Sequence, residues 1–263
     1  MTQASANVNV MIKAARKAAR GLVRDFGEVE NLQVSAKGPG DFVSRADLKA
    51  EQVIRDELTE ARPNYGWLGE ESEEVKGADP TRRWIVDPLD GTTNFLHGVP
   101  HWAISIALEH KGEIVAGVIY DPAKDEMFVA EKGAGAYVND RRIRVSGRRE
   151  IGEMIFGTGI PWGGSRDLPR TLRELAALTP RTAGIRRMGA AALDFAYVAA
   201  GRLDGFWEHG LKPWDMAAGL LLVREAGGFA GPFDEGADIF ESQGVIAANA
   251  AAFEPLTKIL RDA

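Results

Sequence analysis

The chain has 263 residues, of which 45% are hydrophobic and 27% charged, so it is long enough for one large domain and its composition argues against disorder. It has no cysteine, which excludes disulfides, thiolate catalysis, zinc–cysteine sites and iron–sulfur clusters. The net charge of −6 gives no electrostatic support to nucleic-acid binding, and no apolar run approaches the roughly 20 residues of a membrane span. Basic residues also interrupt the N-terminal segment where a signal peptide needs an apolar core. We therefore expect a cytoplasmic protein with no membrane partner and no direct nucleic-acid partner.

Hydrophobic periodicity in the first half predicts two helices followed by several strands. Residues 8–26 and 46–61 carry apolar side chains at helical spacing, and a short strand is predicted at Tyr65–Leu68. Three later runs are rich in Ile, Val and aromatic residues and are separated by turns, at 102–109, 113–120 and 126–130. These runs predict an antiparallel meander between residues 102 and 145.

The second half alternates between helices and strands. We predict helices over 166–178, 190–200, 214–226 and 251–261. We predict strands over 185–188, 203–207 and 244–248. This mixture indicates an α+β protein in which sheets and helices form layers. The predicted organisation is one domain over 1–263, divisible into 1–148 (helices plus antiparallel sheet) and 149–263 (mixed α/β).

The segment Asp87–Thr93, with the sequence DPLDGTT, follows directly after the apolar run Trp84–Val86. Its two aspartates supply the hard oxygen ligands that Mg²⁺ requires. Gly91 allows a sharp turn after which backbone amides face outwards, an arrangement that suits an anion. The segment taken alone is equally compatible with a turn that carries solvated aspartates.

Two further segments place carboxylates at the end of a strand or the start of a helix. Glu70 and Glu71 follow the strand that ends at Leu68, and Asp215 lies in the first turn of an apolar helix. Taken singly, the glutamates are compatible with an exposed acidic turn and Asp215 with a favourable helix-dipole position. Together with Asp87 and Asp90 they indicate a site for two or three Mg²⁺ ions. None of the four histidines has the spacing of a metal-binding helix.

At the level of whole motifs, the chain resembles the inositol monophosphatase family, whose members are magnesium-dependent and lithium-sensitive phosphatases. The resemblance covers nearly the whole chain. It includes Thr93-Asn94-Phe95, whereas related nucleotide and histidinol enzymes commonly have lysine at the position of Thr93, directly after the first threonine. The matching segments occur in family order at Lys37-Gly38 with Asp41 and Asp47, 69–72, 84–95, 157–161, 187–191 and 214–219. The family resemblance implies a layered αβαβα sandwich of the inositol monophosphatase/fructose-1,6-bisphosphatase type. It also implies a homodimer.

The resemblance also implies a set of metal ligands. Glu70, Asp87 and the carbonyl of Leu89 would hold the first Mg²⁺. Asp87 would bridge to a second ion held also by Asp90 and Asp215. A third and weaker ion would depend on Glu70 and water.

By the same resemblance, the substrate phosphate would lie over the amides of Gly91 and Thr92. Thr92 and Asp47 would orient and deprotonate the attacking water, and Glu70 would contribute through the metal-bound shell. No covalent intermediate is needed. The residues that would contact substrate hydroxyls or line their pocket are Asp90, Gly189, Ala190, Ala191, Glu208 and Asp215.

The expected activity is hydrolysis of a phosphate monoester, with myo-inositol 1-phosphate as the favoured substrate. The first alternative is a broader polyol or sugar phosphatase that acts on fructose 1,6-bisphosphate or similar esters. The second is a phosphatase with an additional regulatory role as a protein-binding partner, since a fold alone does not fix function.

Overall fold

A computed structural model of the chain describes residues 4–28, 34–38, 41–161, 168–242 and 244–263, with backbone only for 34–38 and 41–44. The helices are α1 (Ala6–Phe26), α2 (Arg45–Ala61), α3 (Thr92–Leu96), α4 (Leu168–Leu178), α5 (Ala191–Ala199), α6 (Pro213–Glu225), α7 (Ile239–Ser242) and α8 (Phe253–Asp262). The first strands are β1 (Val34–Gly38), β2 (Asp41–Ser44), β3 (Tyr65–Gly69), β4 (Asp79–Asp90), β5 (Ala103–His110), β6 (Glu113–Asp121) and β7 (Glu126–Glu131). The remaining strands are β8 (Gly135–Val138), β9 (Arg141–Ile143), β10 (Ile155–Thr158), β11 (Gly184–Arg186), β12 (Gly205–His209), β13 (Phe229–Pro232) and β14 (Gly244–Ala248).

The first large sheet has seven strands in the order β3-β4-β5-β6-β7-β8-β9. β3 pairs parallel with β4, and the remaining neighbours pair antiparallel. The predicted meander between residues 102 and 145 is therefore confirmed, with two further short strands, β8 and β9, at its end.

The second large sheet has five strands in the order β11-β10-β12-β14-β13. β10 pairs parallel with β11 and β12, whereas β14 pairs antiparallel with β12 and β13. β1 and β2 form a separate two-stranded sheet. The division into subdomains at residue 148 stays a prediction.

Within the described ranges, three hydrophobic cores pack five layers of helices and sheets together. α1 and α2 pack on one face of the seven-stranded sheet and bury one outer core, to which Trp84 and Val86 belong. α5 and α6 pack between the two sheets in the inner core, which includes Ile85 and Phe206. On the far face of the five-stranded sheet, α4 and α8 close the back core, which includes Trp207. This is the αβαβα sandwich that the family resemblance implies.

The alternation along the strands explains how one short segment serves two cores. Trp84 and Val86 point to the outer core while Ile85 points to the inner core, as the two-residue period of a strand requires. α1 begins at Ala6, two residues before the predicted start, because the Ser5 side chain accepts the amide of Val8 as an N-cap. Among the helices of the described ranges, none combines the length and the hydropathy that a membrane span needs.

One predicted strand is displaced. The prediction placed it at 203–207, whereas β12 runs from Gly205 to His209, so that Glu208 lies within a strand. The reason is Asp204, whose buried carboxylate accepts the amide of Ile155 and shapes the turn before the strand. Residues 162–167, which include the first two residues of the helix predicted at 166–178, lie outside the described residues. The side chains of Lys37 and Asp41 do so too.

Candidate active site

The two aspartates of β4 are brought to one side of the strand by a bulge. Asp87 pairs with Ser105 and Asp90 with Ala103, so three steps along β4 match two steps along β5. In a regular strand, residues three apart face opposite ways, and one extra residue cancels that inversion. Asp87 has the parity of Ile85 and therefore faces the inner core. Asp87 and Asp90 are three residues apart, and their side chains can face the same side of β4 only because of the bulge.

Asp90 connects the first sheet to the helix layer behind it. Its Oδ2 accepts the amide of Ala192 at 2.7 Å, at the start of α5, and the amides of Ala191 and Leu193 also interact with the carboxylate. Burial, together with the charge of Glu70, raises the pKa of Asp90 to about 7, although the helix amides oppose the shift. The site therefore joins β4 and α5 through a single carboxylate.

The turn after β4 depends on Gly91, which has φ +91° and precedes α3. A side chain there would be strained, and its Cβ would lie only 3.1 Å from the His101 carbonyl. The turn places the Thr92 hydroxyl 2.9 Å from Asp47 Oδ1 and 3.0 Å from the Leu89 carbonyl. Asp47 is 1% exposed in the first turn of α2. The sequence-predicted pair of Thr92 and Asp47 is thus in hydrogen-bond contact.

Glu70 and Asp215 approach Asp87 from two other elements. Glu70 follows β3, and its amide donates to the Val86 carbonyl at 3.1 Å, which keeps it beside the end of β4. Asp215 lies in the first turn of α6, where its Oδ2 accepts the amide of Lys212 at 2.7 Å. Burial raises the pKa of Asp87 well above its usual range, and Glu70, Asp90 and Asp215 raise it further. The neighbouring groups that produce this shift are all carboxylates.

The donor set fits a hard divalent cation. Asp87 is 2% exposed among carboxylates, so a cation is the natural means of balancing their charge. In the described parts of the chain, no three His, Asp or Glu side chains already form a group that could hold a metal ion. Asp87 and Glu70 share a hydrogen bond instead, and Asp215 is engaged by a backbone amide. These carboxylates would have to exchange their present hydrogen bonds before their oxygens could face a common ion.

Glu208 lies on the face of β12 that looks toward the inner core, since it has the parity of Phe206. Burial, together with the charges of Asp215 and Asp90, raises the pKa of its carboxyl to about 8, although Arg187 opposes the shift. The carboxylate packs against Gly159, where a Cβ would collide with it. Glu208 therefore belongs to the same acidic region as the β4 aspartates, and a glycine makes room for it.

The loop before α5 supplies the other predicted pocket residues. Gly189 has φ +86°, and Ala190 and Ala191 follow it into the start of the helix. Asn94 holds this loop in place, since its Nδ2 donates to the His101 carbonyl at 2.8 Å and to the Met188 carbonyl at 2.9 Å. α3 and the loop before α5 are consequently fixed relative to each other.

Sequence reasoning missed Asp194. It is 1% exposed in α5, and within the described residues its Oδ1 has no hydrogen-bond partner. Burial raises its pKa well above the usual range, Glu208 and Asp90 add to the shift, and Arg187 opposes it. The available signal was an aspartate at a core position of an otherwise apolar helix, although only the tertiary structure reveals which carboxylates surround it.

Replacing Asp194 by asparagine is expected to stabilise the metal-free protein increasingly as the pH rises. Because the folded pKa is raised, the folded state keeps a proton that the unfolded state releases above about pH 3.9, so wild-type stability falls with rising pH through that window. Asparagine does not titrate. The advantage of Asp194→Asn in unfolding free energy should grow by about 1 kcal/mol or more between pH 4 and 8, measured by urea unfolding in EDTA.

Asp79→Asn is the control with the opposite sign. Hydrogen bonds from the Thr81 and Arg82 side chains lower the pKa of Asp79 to about 2, so its stabilising effect is present above the unfolded pKa and is lost as the pH falls. This variant should lose stability relative to wild type at pH 7 and little at pH 3. A constant advantage of Asp194→Asn at every pH would contradict the assignment of a raised Asp194 pKa.

The comparisons with known proteins define the class of this protein as a phosphatase, a phosphoric monoester hydrolase. The chain belongs to the inositol monophosphatase family, whose model matches residues 4–263. Divalent metal ions serve as cofactors in this family.

Individual relatives agree with this assignment. The chain is 57% identical over 258 residues to a Rhizobium meliloti protein named inositol-1-monophosphatase, covering 98% of this chain and 96% of that protein. Among solved structures, it is similar to extragenic suppressor protein suhB from Bartonella henselae, with a TM-score of 0.95, 57% identity and coverage of 98% and 99%. It is also 44% identical over 253 residues to the Nus factor SuhB of Pseudomonas aeruginosa, covering 95% and 93%. The family thus includes relatives that carry an enzyme name and relatives that carry a factor name.

Proposed function

We propose that the protein hydrolyses myo-inositol 1-phosphate to myo-inositol and phosphate with Mg²⁺ as cofactor. The observation that carries this proposal is the burial of Asp87 among Glu70, Asp90 and Asp215, a charge arrangement that calls for divalent cations. Relatives named inositol-1-monophosphatase at 57% identity support the choice of substrate.

In this proposal two to three Mg²⁺ ions would be held by groups at the end of β4, directly after β3 and at the start of α6. Glu70, Asp87 and the Leu89 carbonyl would hold the first ion. Asp87, Asp90 and Asp215 would hold the second, and Glu70 with water would hold a third. When bound, such ions neutralise phosphate charge and acidify a water molecule. We also propose that Li⁺ inhibits the enzyme by competing with Mg²⁺ for the second metal site.

In this mechanism, residues in the first turns of α2 and α3 remove a proton from the attacking water. Thr92 Oγ1 takes a proton from the attacking water while its own proton passes to Asp47 Oδ1, 2.9 Å away. The resulting hydroxide forms a bond to phosphorus as the bond from phosphorus to the inositol oxygen breaks, and that oxygen is protonated by water. The amides of Gly91 and Thr92 hold the phosphate oxygens during this exchange.

Substrate hydroxyls are recognised on the opposite side of the site. Glu208 bonds one hydroxyl from β12, and Asp90 and Asp215 contact hydroxyls near the reacting phosphate. The backbone of Gly189, Ala190 and Ala191 lines the pocket and leaves space for the ring. Such contacts admit several polyol phosphates, so a broader sugar phosphatase is the nearest competing function.

Phosphate release from a substrate panel tests the proposal. The panel contains D- and L-myo-inositol 1-phosphate, fructose 1,6-bisphosphate, 3′-phosphoadenosine 5′-phosphate and histidinol phosphate at fixed Mg²⁺, with Asp87→Asn as the blank. We expect Mg²⁺-dependent turnover that favours the inositol phosphates. Preference for another panel member would retain the mechanism and overturn the substrate, and release that is insensitive to Asp87 would overturn the mechanism.

A second role as a regulatory binding partner is favoured by one observation, the 44% identity to a protein named Nus factor SuhB. We propose this role in addition to catalysis, and we propose that the chain forms a homodimer. A cellular phenotype that survives Asp87→Asn but not deletion of the gene would support a binding role. Light scattering of the purified chain tests the dimer, and a mass equal to the 28.5 kDa of one chain would contradict it.

A further inference from the structure

Two residues that flank Glu208 in β12 point away from the proposed active site. Trp207 belongs to the back core, whereas Phe206 belongs to the inner core, so Glu208 faces inward and His209 faces the back with Trp207. The orientation of Glu208 therefore depends on how its two strand neighbours are held on the opposite face.

Both neighbours are bound by the same carboxylate, that of Glu174 in α4. Glu174 is fully buried, with 0% exposure. Its Oε2 accepts the Trp207 Nε1–H at 3.0 Å, and its Oε1 lies 2.8 Å from His209 Nε2. Arg170 Nε, one helical turn earlier, donates to the same Oε1 at 3.0 Å. A charged and buried acceptor makes bonds of this kind strong and directional.

Aromatic stacking extends this network across the sheet. The His209 ring stacks on Phe233 at 4.0 Å between ring centroids, and the Arg170 guanidinium lies 4.8 Å from the Phe233 centroid. Opposite His209 in the neighbouring strand is Gly244, where a Cβ would come within 2.9 Å of the Phe233 ring and 3.3 Å of the His209 ring. The strand pairing and the stack thus leave His209 little freedom to turn.

We propose that Glu174 is a positioning residue for Glu208. By holding Trp207 and His209 on the back face of β12, it fixes the direction in which Glu208 meets a substrate hydroxyl on the front face. This inference rests on the proposed function, which assigns the hydroxyl contact to Glu208. Glu174 itself contacts neither substrate nor metal, so its effect appears in selectivity between substrates and not in the chemical step.

The test compares two phosphate esters, myo-inositol 1-phosphate and p-nitrophenyl phosphate, whose leaving group has no free hydroxyl. In Glu174→Ala, kcat/KM for the inositol ester should fall about tenfold through KM, the equivalent of one good hydrogen bond. kcat for p-nitrophenyl phosphate should stay within about twofold of wild type, since the reacting groups are untouched. Glu174→Gln should restore only part of the selectivity, because its single carbonyl oxygen can replace Oε2 toward Trp207 or Oε1 toward Arg170, but not both.

Glu57→Gln is the matched control. Glu57 is also buried, at 4% exposure, and it bonds Lys17 at 2.8 Å between α1 and α2, across the molecule from β12. This variant should lower the melting temperature without changing the selectivity ratio, which is kcat/KM for the inositol ester divided by kcat/KM for p-nitrophenyl phosphate. If Glu174→Ala does not fold, Trp207→Phe removes the indole N–H and keeps an aromatic ring, and the ratio should still fall about threefold.

The outcomes of these measurements separate this inference from the proposed function. A ratio that is unchanged in Glu208→Ala overturns the assignment of Glu208 and this inference with it. If the selectivity ratio falls in Glu208→Ala but is kept in Glu174→Ala and Trp207→Phe, this inference alone is overturned. The same holds if Glu174→Ala loses activity equally toward both esters. In the double variant Glu174→Ala/Glu208→Ala, the ratio should be no lower than in Glu208→Ala, because the two residues act in series.

Discussion

Asp87→Asn is expected to lower kcat/KM by at least about 10³-fold and, at the same time, to raise the melting temperature of the metal-free protein. The activity is lost because an amide is a much poorer ligand than a carboxylate for the divalent ions that Asp87 would hold in the proposed function. The stability rises because Asp87 is buried beside Glu70, Asp90 and Asp215, whose charges all disfavour its ionised form. A neutral amide of similar size removes that repulsion.

The sign of the stability change follows from the raised pKa. A carboxyl group whose folded pKa lies above its unfolded value loses stability as the pH rises, and asparagine does not. We therefore expect the gain to be larger at pH 8 than at pH 5, when both proteins are melted in EDTA. An increase of about 1 kcal/mol would appear as roughly 2–4 °C in a protein of this size.

Asp204→Asn provides the contrast. Asp204 is also buried, at 1% exposure, but it accepts hydrogen bonds from Arg148 and from the amide of Ile155. Removing its charge should lower the melting temperature and leave the dependence of activity on Mg²⁺ unchanged. Full turnover in Asp87→Asn, or a lower melting temperature in EDTA, would show that Asp87 is not the unbalanced charge described above.

Gly219→Ala is expected to destabilise the protein by about 3 kcal/mol or more, because the close contact between α5 and α6 has no room for a methyl group. A Cβ at Gly219 would lie 2.5 Å from the Phe195 Cβ and Cγ. Phe195 is fully buried and packs edge-on against Phe206, 4.9 Å between ring centroids, so it cannot move aside freely. α6 also carries Asp215, and its displacement should reduce Mg²⁺ affinity along with stability.

Gly21→Ala tests the same substitution where space is available. Gly21 lies within α1, and a Cβ there meets no described atom within 4 Å. Since alanine is favoured over glycine inside a helix, this variant should gain about 0.5–1 kcal/mol. Urea unfolding of both variants should thus give changes of opposite sign. Two similar small changes would mean that α5 and α6 can separate at little cost.

Local sequence signals were sufficient for some parts of this structure and not for others. The helices and the meander follow from periodicity, which each segment carries by itself. The bulge that turns Asp87 and Asp90 to one side depends on pairing with β5, and Asp204 shifted β12 through a bond to Ile155, 49 positions away. Such effects arise from contacts between segments, so the hydrophobic periodicity of either segment alone does not predict them.

The candidate site shows the same division. Asp87, Asp90, Gly91 and Thr92 could be grouped because they are neighbours in the chain. Their proximity to Asp215 was expected only from a resemblance between whole motifs. Asp194 was not anticipated, because an aspartate in an alanine-rich helix does not reveal whether it meets solvent, a base or other acids.

The bond from Asp90 to the start of α5 has a consequence for the lifetime of the protein in the cell. Asp90 belongs to one sheet and the amide of Ala192 to the helix layer that separates it from the other. An ion bound by Asp90 and Asp215 would fasten these layers together, and ligands that bind only the folded state stabilise it by mass action, by about 2.7 kcal/mol at a concentration 100 times Kd. Magnesium supply would then govern how long each molecule escapes proteolysis as well as how fast it turns over substrate.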